Sequence, residues 1–249
     1  MLDPKADELD LSICGRDFTI SQSPGLLQSS RGGGTTAAVV WRTSVLFAEW
    51  LGSSKNPLFS STALDRDSTV LELGSGIAGL VPMILSNRVQ RIVATDQQYA
   101  LKHLHENVQA NLPRYKSGQS RTHGENIETL PLDWEVDDIP PFLRTHEFRD
   151  GVDAVMMCDC IFNYALITPL VDTCTEVCRA RKNSSAAMAG GKTRSTICII
   201  AQQLRQPEVF QQWLEDFLQT FQVWRVPAST LTETPGPESG FVIHIGLLR

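Results

Sequence analysis

The chain has 249 residues, with 22 Lys+Arg against 28 Asp+Glu, 42% apolar residues and 20% charged ones, a balance that excludes disorder over the whole length and allows one sizeable core without metal or disulfide staples. The longest apolar run, Ile77 to Leu85, has nine residues and is interrupted by Gly79 and Pro82, far below the roughly 20 a membrane helix needs. The formal charge of −6 is spread without a Lys/Arg block, which argues against duplex nucleic acid as a direct partner and suits a basic one.

Met1 to Asp10 carries four acids and no apolar stretch, so neither a secretory nor a mitochondrial signal is expected, and the cytoplasm or nucleus is the expected location. Leu9 to Gln22 alternates apolar and polar residues around Gly15-Arg16-Asp17, which predicts a β-hairpin. A Gly/Ser-rich link, Ser29 to Gly34, follows. Residues 1–34 are expected to form a hairpin and flexible link, and residues 35–249 the main domain. Thr35 to Leu51 places Val39, Val40, Leu46, Phe47 and Trp50 near helical spacing, predicting one leading helix.

From Thr69 the pattern changes. Val70 to Leu73, Arg91 to Thr95, Ile127 to Leu132, Val152 to Met157 and Thr196 to Ala201 read as strands. Between them, Ala78 to Asn87, Tyr99 to Asn111, Tyr164 to Arg181 and Pro207 to Gln219 read as helices. Strands alternating with helices imply a parallel, doubly wound α/β sheet. Gln222 to Val226 and Gly240 to Leu248 are joined by a Pro/Gly/Thr loop with no room for a crossover helix, so they must pair antiparallel. Pro113 to Glu125 and Asn183 to Arg194 read as loops without motifs. The six cysteines stand at C-x-C and C-x3-C spacings away from the five histidines, which predicts reduced, mostly buried thiols rather than a metal site.

Gly74-Ser75-Gly76-Ile77-Ala78-Gly79 follows a strand and opens a helix, and Asp96 ends the next strand. Glycines permit a sharp turn and close approach of a ligand to the backbone, and an acid at that position accepts hydrogen bonds from ribose hydroxyls. The alternative is a purely structural tight turn with a surface Asp. By itself the pattern fits a nicotinamide cofactor as well as S-adenosylmethionine, although no Tyr-x3-Lys pair is present to support hydride transfer.

Leu71-Glu72-Leu73-Gly74-Ser75-Gly76 resembles the first motif of class I S-adenosylmethionine-dependent methyltransferases. Thr35 to Trp41, Leu132-Asp133-Trp134-Glu135 and Cys158-Asp159-Cys160-Ile161-Phe162-Asn163 resemble segments of the family-sixteen, seven-β-strand protein-lysine methyltransferases. Gln22 to Leu27 and Thr95-Asp96-Gln97 bring the likeness nearest the fungal ribosomal lysine N-methyltransferase five type.

The resemblance implies a Rossmann-like seven-stranded sheet in the order 3-2-1-4-5-7-6, its last strand antiparallel. It implies S-adenosyl-L-methionine as cofactor, held by Trp41, Gly74, Ser75, Gly76, Asp96, Trp134 and Cys158. It implies a basic ribosomal protein as substrate, with Asp159 capturing its lysine and Phe162 offering a ring face to the same nitrogen. Phe162 stands where many relatives have Tyr, and Cys158 where many have Ala. A monomer is expected.

Each assignment has a plainer competitor. Asp159 can cap the following helix, Phe162, Trp41 and Trp134 can be packing residues, and Glu72 can bond the loop without touching cofactor. Asp137 and Asp138 read as solvated. Methylation of nucleic acid or a small molecule, and a non-catalytic cofactor-binding module, are the competing functions.

Overall fold

The computed structural model describes residues 1–28, 35–112, 126–148, 150–182, 194–231 and 240–249. The link at 29–34, the loop at 113–125, nearly all of the loop at 183–194 and residues 232–239 lie outside them.

A two-stranded hairpin, β1 (Glu8–Ile13) and β2 (Arg16–Ser21), comes first. Its register runs from Glu8 opposite Ser21 to Ile13 opposite Arg16. The turn is therefore Cys14-Gly15, one residue earlier than expected, and Arg16 and Asp17 belong to β2. Both turn residues have positive φ, 52° and 73°, the mirror-type geometry whose twist matches that of paired strands.

The predicted single leading helix is two pieces. A 3-10 turn, Thr36–Ala38, is followed by extended backbone at Val39 and Trp41 before α2 (Arg42–Gly52) begins; α1 (Pro24–Leu27) precedes them and α3 (Pro57–Ser60) follows. The helix breaks because Val40 N–H is taken by the side chain of Gln22, at 2.7 Å, rather than by a carbonyl one turn back.

The main sheet contains β3 (Thr69–Leu73), β4 (Arg91–Asp96), β5 (Ile127–Pro131), β6 (Ala154–Cys158), β7 (Ile197–Gln203), β8 (Phe221–Arg225) and β9 (Phe241–Leu248), in the order β5-β4-β3-β6-β7-β9-β8. That is the expected 3-2-1-4-5-7-6. β4 with β5 and β6 with β7 pair parallel, whereas β9 pairs antiparallel with both β7 and β8. The helices are α4 (Leu80–Leu85), α5 (Gln98–Asn111), α6 (Ile139–Thr145), α7 (Tyr164–Lys182) and α8 (Pro207–Thr220). α6 is absent from the predicted elements; its Pro140 and Pro141 lie in the first helical turn, where a missing N–H has no partner anyway. No described helix is long and apolar enough to cross a membrane.

The chain divides into two compact units, Met1–Asp67 with Glu72–Leu132, and Ser68–Leu71 with Asp133–Arg249. In the first, the open edge of β2 is closed by two asparagines of α5. Asn107 exchanges bonds of 2.9 Å with both Ser21 N–H and carbonyl, and Asn111 does the same to Thr19 at 2.8 Å. Side-chain amides thus replace a neighbouring strand and remove an exposed ladder edge.

In the second unit, Trp213, Phe217 and Phe221 stack in series beside Phe210 and His244. Among the described residues His244 Nδ1 has no hydrogen-bond partner, and burial, then the nearby Arg225 charge, lower the His244 pKa to about 4 from 6.5. The unfolded chain takes up a proton on this ring near pH 6.5 while the native one does not, so stability is complete above about pH 6.5 and falls toward pH 4. A His244→Phe variant is expected to lose that part of the acid slope, which thermal melts between pH 4 and 7 would show. Five of the six cysteines are buried, as expected; Cys14 is exposed.

Candidate functional site

In the first unit the turn after β3 is built from three glycines at φ 68°, 63° and 61°, Gly74, Gly76 and Gly79. At Gly79 a Cβ would stand 2.7 Å from Val108 Cγ2 and 3.0 Å from Leu104 Cδ1, so neither the backbone angle nor the packing on α5 admits a side chain. The left-handed Gly79 also explains why α4 starts at Leu80 rather than at the predicted Ala78.

The end of β4 braces this turn. Ser75 N–H donates to the Thr95 carbonyl at 2.9 Å, and Thr95 Oγ1 donates to the Glu72 carbonyl at 2.7 Å. The Asp96 carboxylate, 8% exposed, accepts Gly76 N–H at one oxygen and Gln97 N–H at the other, both at 2.8 Å. The Thr35–Trp41 segment is stitched to the same turn, since Ile77 N–H donates to the Ala37 carbonyl at 3.0 Å. Trp41 is half-buried and donates its indole N–H to Thr36 at 2.8 Å. Gln22 anchors this arrangement: its amide donates to the carbonyls of Asp3 and Ala6 at 2.8 Å while its oxygen holds Val40 N–H. Its place in the sequence before a turn offers no sign of that role.

Glu72 is fully buried, and the Ser75 hydroxyl donates to its carboxyl group. Burial, reinforced by the negative charge of Asp96, raises its pKa from 4.5 to about 8 against the opposing Ser75 bond. The unfolded chain releases this proton near pH 4.5 and the native one only near 8, so stability falls as pH rises through that window. Glu72→Gln is expected to melt like the wild type near pH 5 and to be the more stable protein near pH 8, by about 5 kcal/mol at most. Melting temperatures measured at both pH values decide it.

In the second unit Cys158 ends β6, and the loop after it carries Asp159 and Phe162. Asp159 is 8% exposed and has φ +59°, a left-handed conformation unusual for any residue but glycine. Its N–H donates to the Ala201 carbonyl at 2.8 Å. One carboxylate oxygen accepts Gln202 Nε2 at 3.0 Å and Gln203 N–H at 3.4 Å; the other accepts Arg205 Nη2 at 2.6 Å. Gln202 also bonds both the carbonyl and N–H of Ile161, at 2.9 and 3.2 Å. The helix-cap alternative for Asp159 is excluded, because α7 begins at Tyr164 and Asn163 Oδ1 accepts Ala165 N–H at 3.0 Å.

Cys158 is buried, with its carbonyl facing Cys160 Sγ at 3.6 Å, and Phe162 is half-buried. Trp134 is half-buried in a turn held by Asp133 and Asp137, whose carboxylate accepts Asp133 N–H at 2.7 Å; Asp137 is therefore exposed but engaged. Sequence reasoning missed Gln202 and Arg205, which lie 43 and 46 residues beyond Asp159. Only the pairing of β6 with β7 brings them to it.

The fold is that of methyltransferases. A putative S-adenosylmethionine-dependent methyltransferase from Streptococcus mutans superposes with a TM-score of 0.50 at 11% identity, over 97% of this chain and 56% of that one. The sequence model described as lysine methyltransferase matches residues 21–198, and the chain belongs to that family. The ribosomal lysine N-methyltransferase 5 of Zygosaccharomyces rouxii is 29% identical over 80% of this chain and 70% of its own length. The diaminohydroxyphosphoribosylamino-pyrimidine deaminase of Schizosaccharomyces pombe is 30% identical over 94% of this chain, which spans only 50% of that protein.

Proposed function

We propose that this protein transfers a methyl group from S-adenosyl-L-methionine to a lysine side chain of a basic ribosomal protein. Family membership supports the lysine chemistry, the name of the Z. rouxii relative supports the ribosomal target, and the S. mutans protein is described as S-adenosylmethionine-dependent. The S. pombe name does not transfer: this sequence has no Pro-Cys-x-x-Cys, the zinc-holding pair of nucleobase deaminases. The observation that carries the catalytic reading is Asp159, a buried carboxylate at strained φ held by three nitrogens. Left-handed backbone at a residue other than glycine costs about 1 kcal/mol or more and persists where the surroundings enforce it, characteristically at working sites.

The residues of the first unit fit the cofactor. The turn at Gly74, Ser75 and Gly76 lets the chain approach it closely, and Asp96 accepts the ribose hydroxyls. Trp41, Trp134 and Cys158 are assigned to its surroundings. When bound, S-adenosylmethionine would supply an electrophilic methyl carbon on a cationic sulfur that serves as the leaving group.

The chain's own task is positioning. A lysine ammonium cannot attack, and with a pKa near about 10.4 its deprotonation at neutral pH costs about 4 to 5 kcal/mol. Asp159 captures and orients the lysine and stabilises the positive charge that grows on nitrogen during transfer. Phe162 presents its ring to the same nitrogen. The net charge of −6 suits a basic protein better than nucleic acid. Action as a monomer in the cytoplasm or nucleus, where ribosomal proteins are met, completes the proposal.

The test is calorimetric titration with S-adenosylmethionine followed by labelled-methyl transfer to large-subunit ribosomal proteins. Binding together with one labelled protein band is expected. Binding with no labelled protein would favour an interaction module, and labelled RNA would move the activity to nucleic acid.

A further inference from the structure

The lysine reading of Asp159 leaves a chemical difficulty that the second unit answers. A bare carboxylate beside an amine favours the ammonium form, which binds well but cannot attack. The residue facing Asp159 is Arg205, on the loop between β7 and α8, with Nη2 2.6 Å from Oδ2 and its own side chain 38% exposed against 4% for Asp159. The other oxygen is held independently by Gln202 and Gln203, so orienting the carboxylate does not require the arginine. The guanidinium faces Asp159 across the site, and the buried thiols of Cys158, which ends β6, and Cys160 flank it along the chain.

We propose that Arg205 is a positioning residue that balances the charge of Asp159, so that a lysine held against this carboxylate can release its proton to water before transfer. Removing the arginine leaves Asp159 held by Gln202 and Gln203 but takes this countercharge away. The lysine cation is then held more tightly and gives up its proton less readily.

The experiment uses the full chain and the variants R205Q, R205M and R205K, with thermal melts to establish folding; two neutral replacements guard against one of them failing to fold. Titration with n-butylammonium chloride, a stand-in for the lysine side chain, is expected to show affinity about tenfold higher in R205Q or R205M than in the wild type near pH 7, with R205K near wild type. The pH profile of methyl transfer to large-subunit ribosomal protein is expected to move its ascending limb up by about one unit in the neutral variants, so that kcat near pH 7 drops about tenfold while KM falls. The deficit should close only at pH values above the shifted limb, and R205K should restore the original profile. Equal n-butylammonium affinities, an unshifted profile, or a loss that persists above the shifted limb would each overturn the inference. If the wild type methylates no ribosomal protein, the functional reading fails by itself; the n-butylammonium arm still decides the charge balance, tighter binding in the neutral variants supporting it and equal binding refuting it.

Discussion

Asp159→Ala is expected to bind S-adenosylmethionine within about twofold of the wild type and to lose about 10²- to 10³-fold in kcat, the scale of removing a group aimed at charge that develops in the transition state. The division follows from where its bonds go. The carboxylate serves Gln202, Gln203 and Arg205, and none of these belongs to the glycine turn or to the end of β4. The positive φ remains in the variant, because alanine gains nothing over aspartate in left-handed backbone. Stability falls as well, since Arg205 and Gln202 lose their acceptor, so cofactor titration and transfer assays belong below the variant's melting temperature. Asp159→Asn keeps the size and one acceptor oxygen but not the charge, and is expected to lose most of the same activity. Wild-type turnover by either variant would remove Asp159 from the mechanism.

Asp96→Ala should fail in the opposite order, with cofactor affinity falling about 10- to 100-fold, or about 1.4 to 3 kcal/mol, before any change in turnover at saturation. Two losses combine. The ribose hydroxyls lose their acceptor, and the N–H groups of Gly76 and Gln97 lose the oxygens that fix the turn. The same substitution removes a negative charge that helps to hold the Glu72 pKa up, so the stability decline between pH 4.5 and 8 should narrow. Identical cofactor affinities for Asp96→Ala, Asp159→Ala and the wild type would refute this assignment of roles.

Much of the fold was legible because it is written in local patterns. Short aliphatic runs alternating with helical periodicity implied the parallel strands, and the two closing runs with no space for a helix implied the antiparallel pair; the sheet order agrees with both. Legibility failed where a side chain overrode the local pattern. The helical spacing of Thr35 to Leu51 was real, but Gln22 claims the Val40 amide and breaks it. Gly15-Arg16-Asp17 looked like the turn, but Cys14 adopts a conformation its residue type disfavours, and the hairpin closes one residue sooner. α6, with Pro140 and Pro141 in its first turn, was not among the expected elements.

For the candidate site, Gly74, Ser75, Gly76 and Asp96 were legible because turn chemistry and an acid ending a strand are short-range signals, whereas Asp159 was picked out by the likeness of its segment to a family motif. What Asp159 is bonded to did not. Its partners lie more than 40 residues away, and the asparagines that close the hairpin edge lie 86 and 92 residues from it. The same holds for the proton on Glu72, which depends on the water excluded around it and on a neighbouring charge. Sequence by itself determined the alternation of strands and helices, the glycine turn after β3 and which chemical groups are available. Tertiary structure alone decided which of those groups are desolvated and paired, because burial and electrostatic partnership are properties of the space that distant segments enclose.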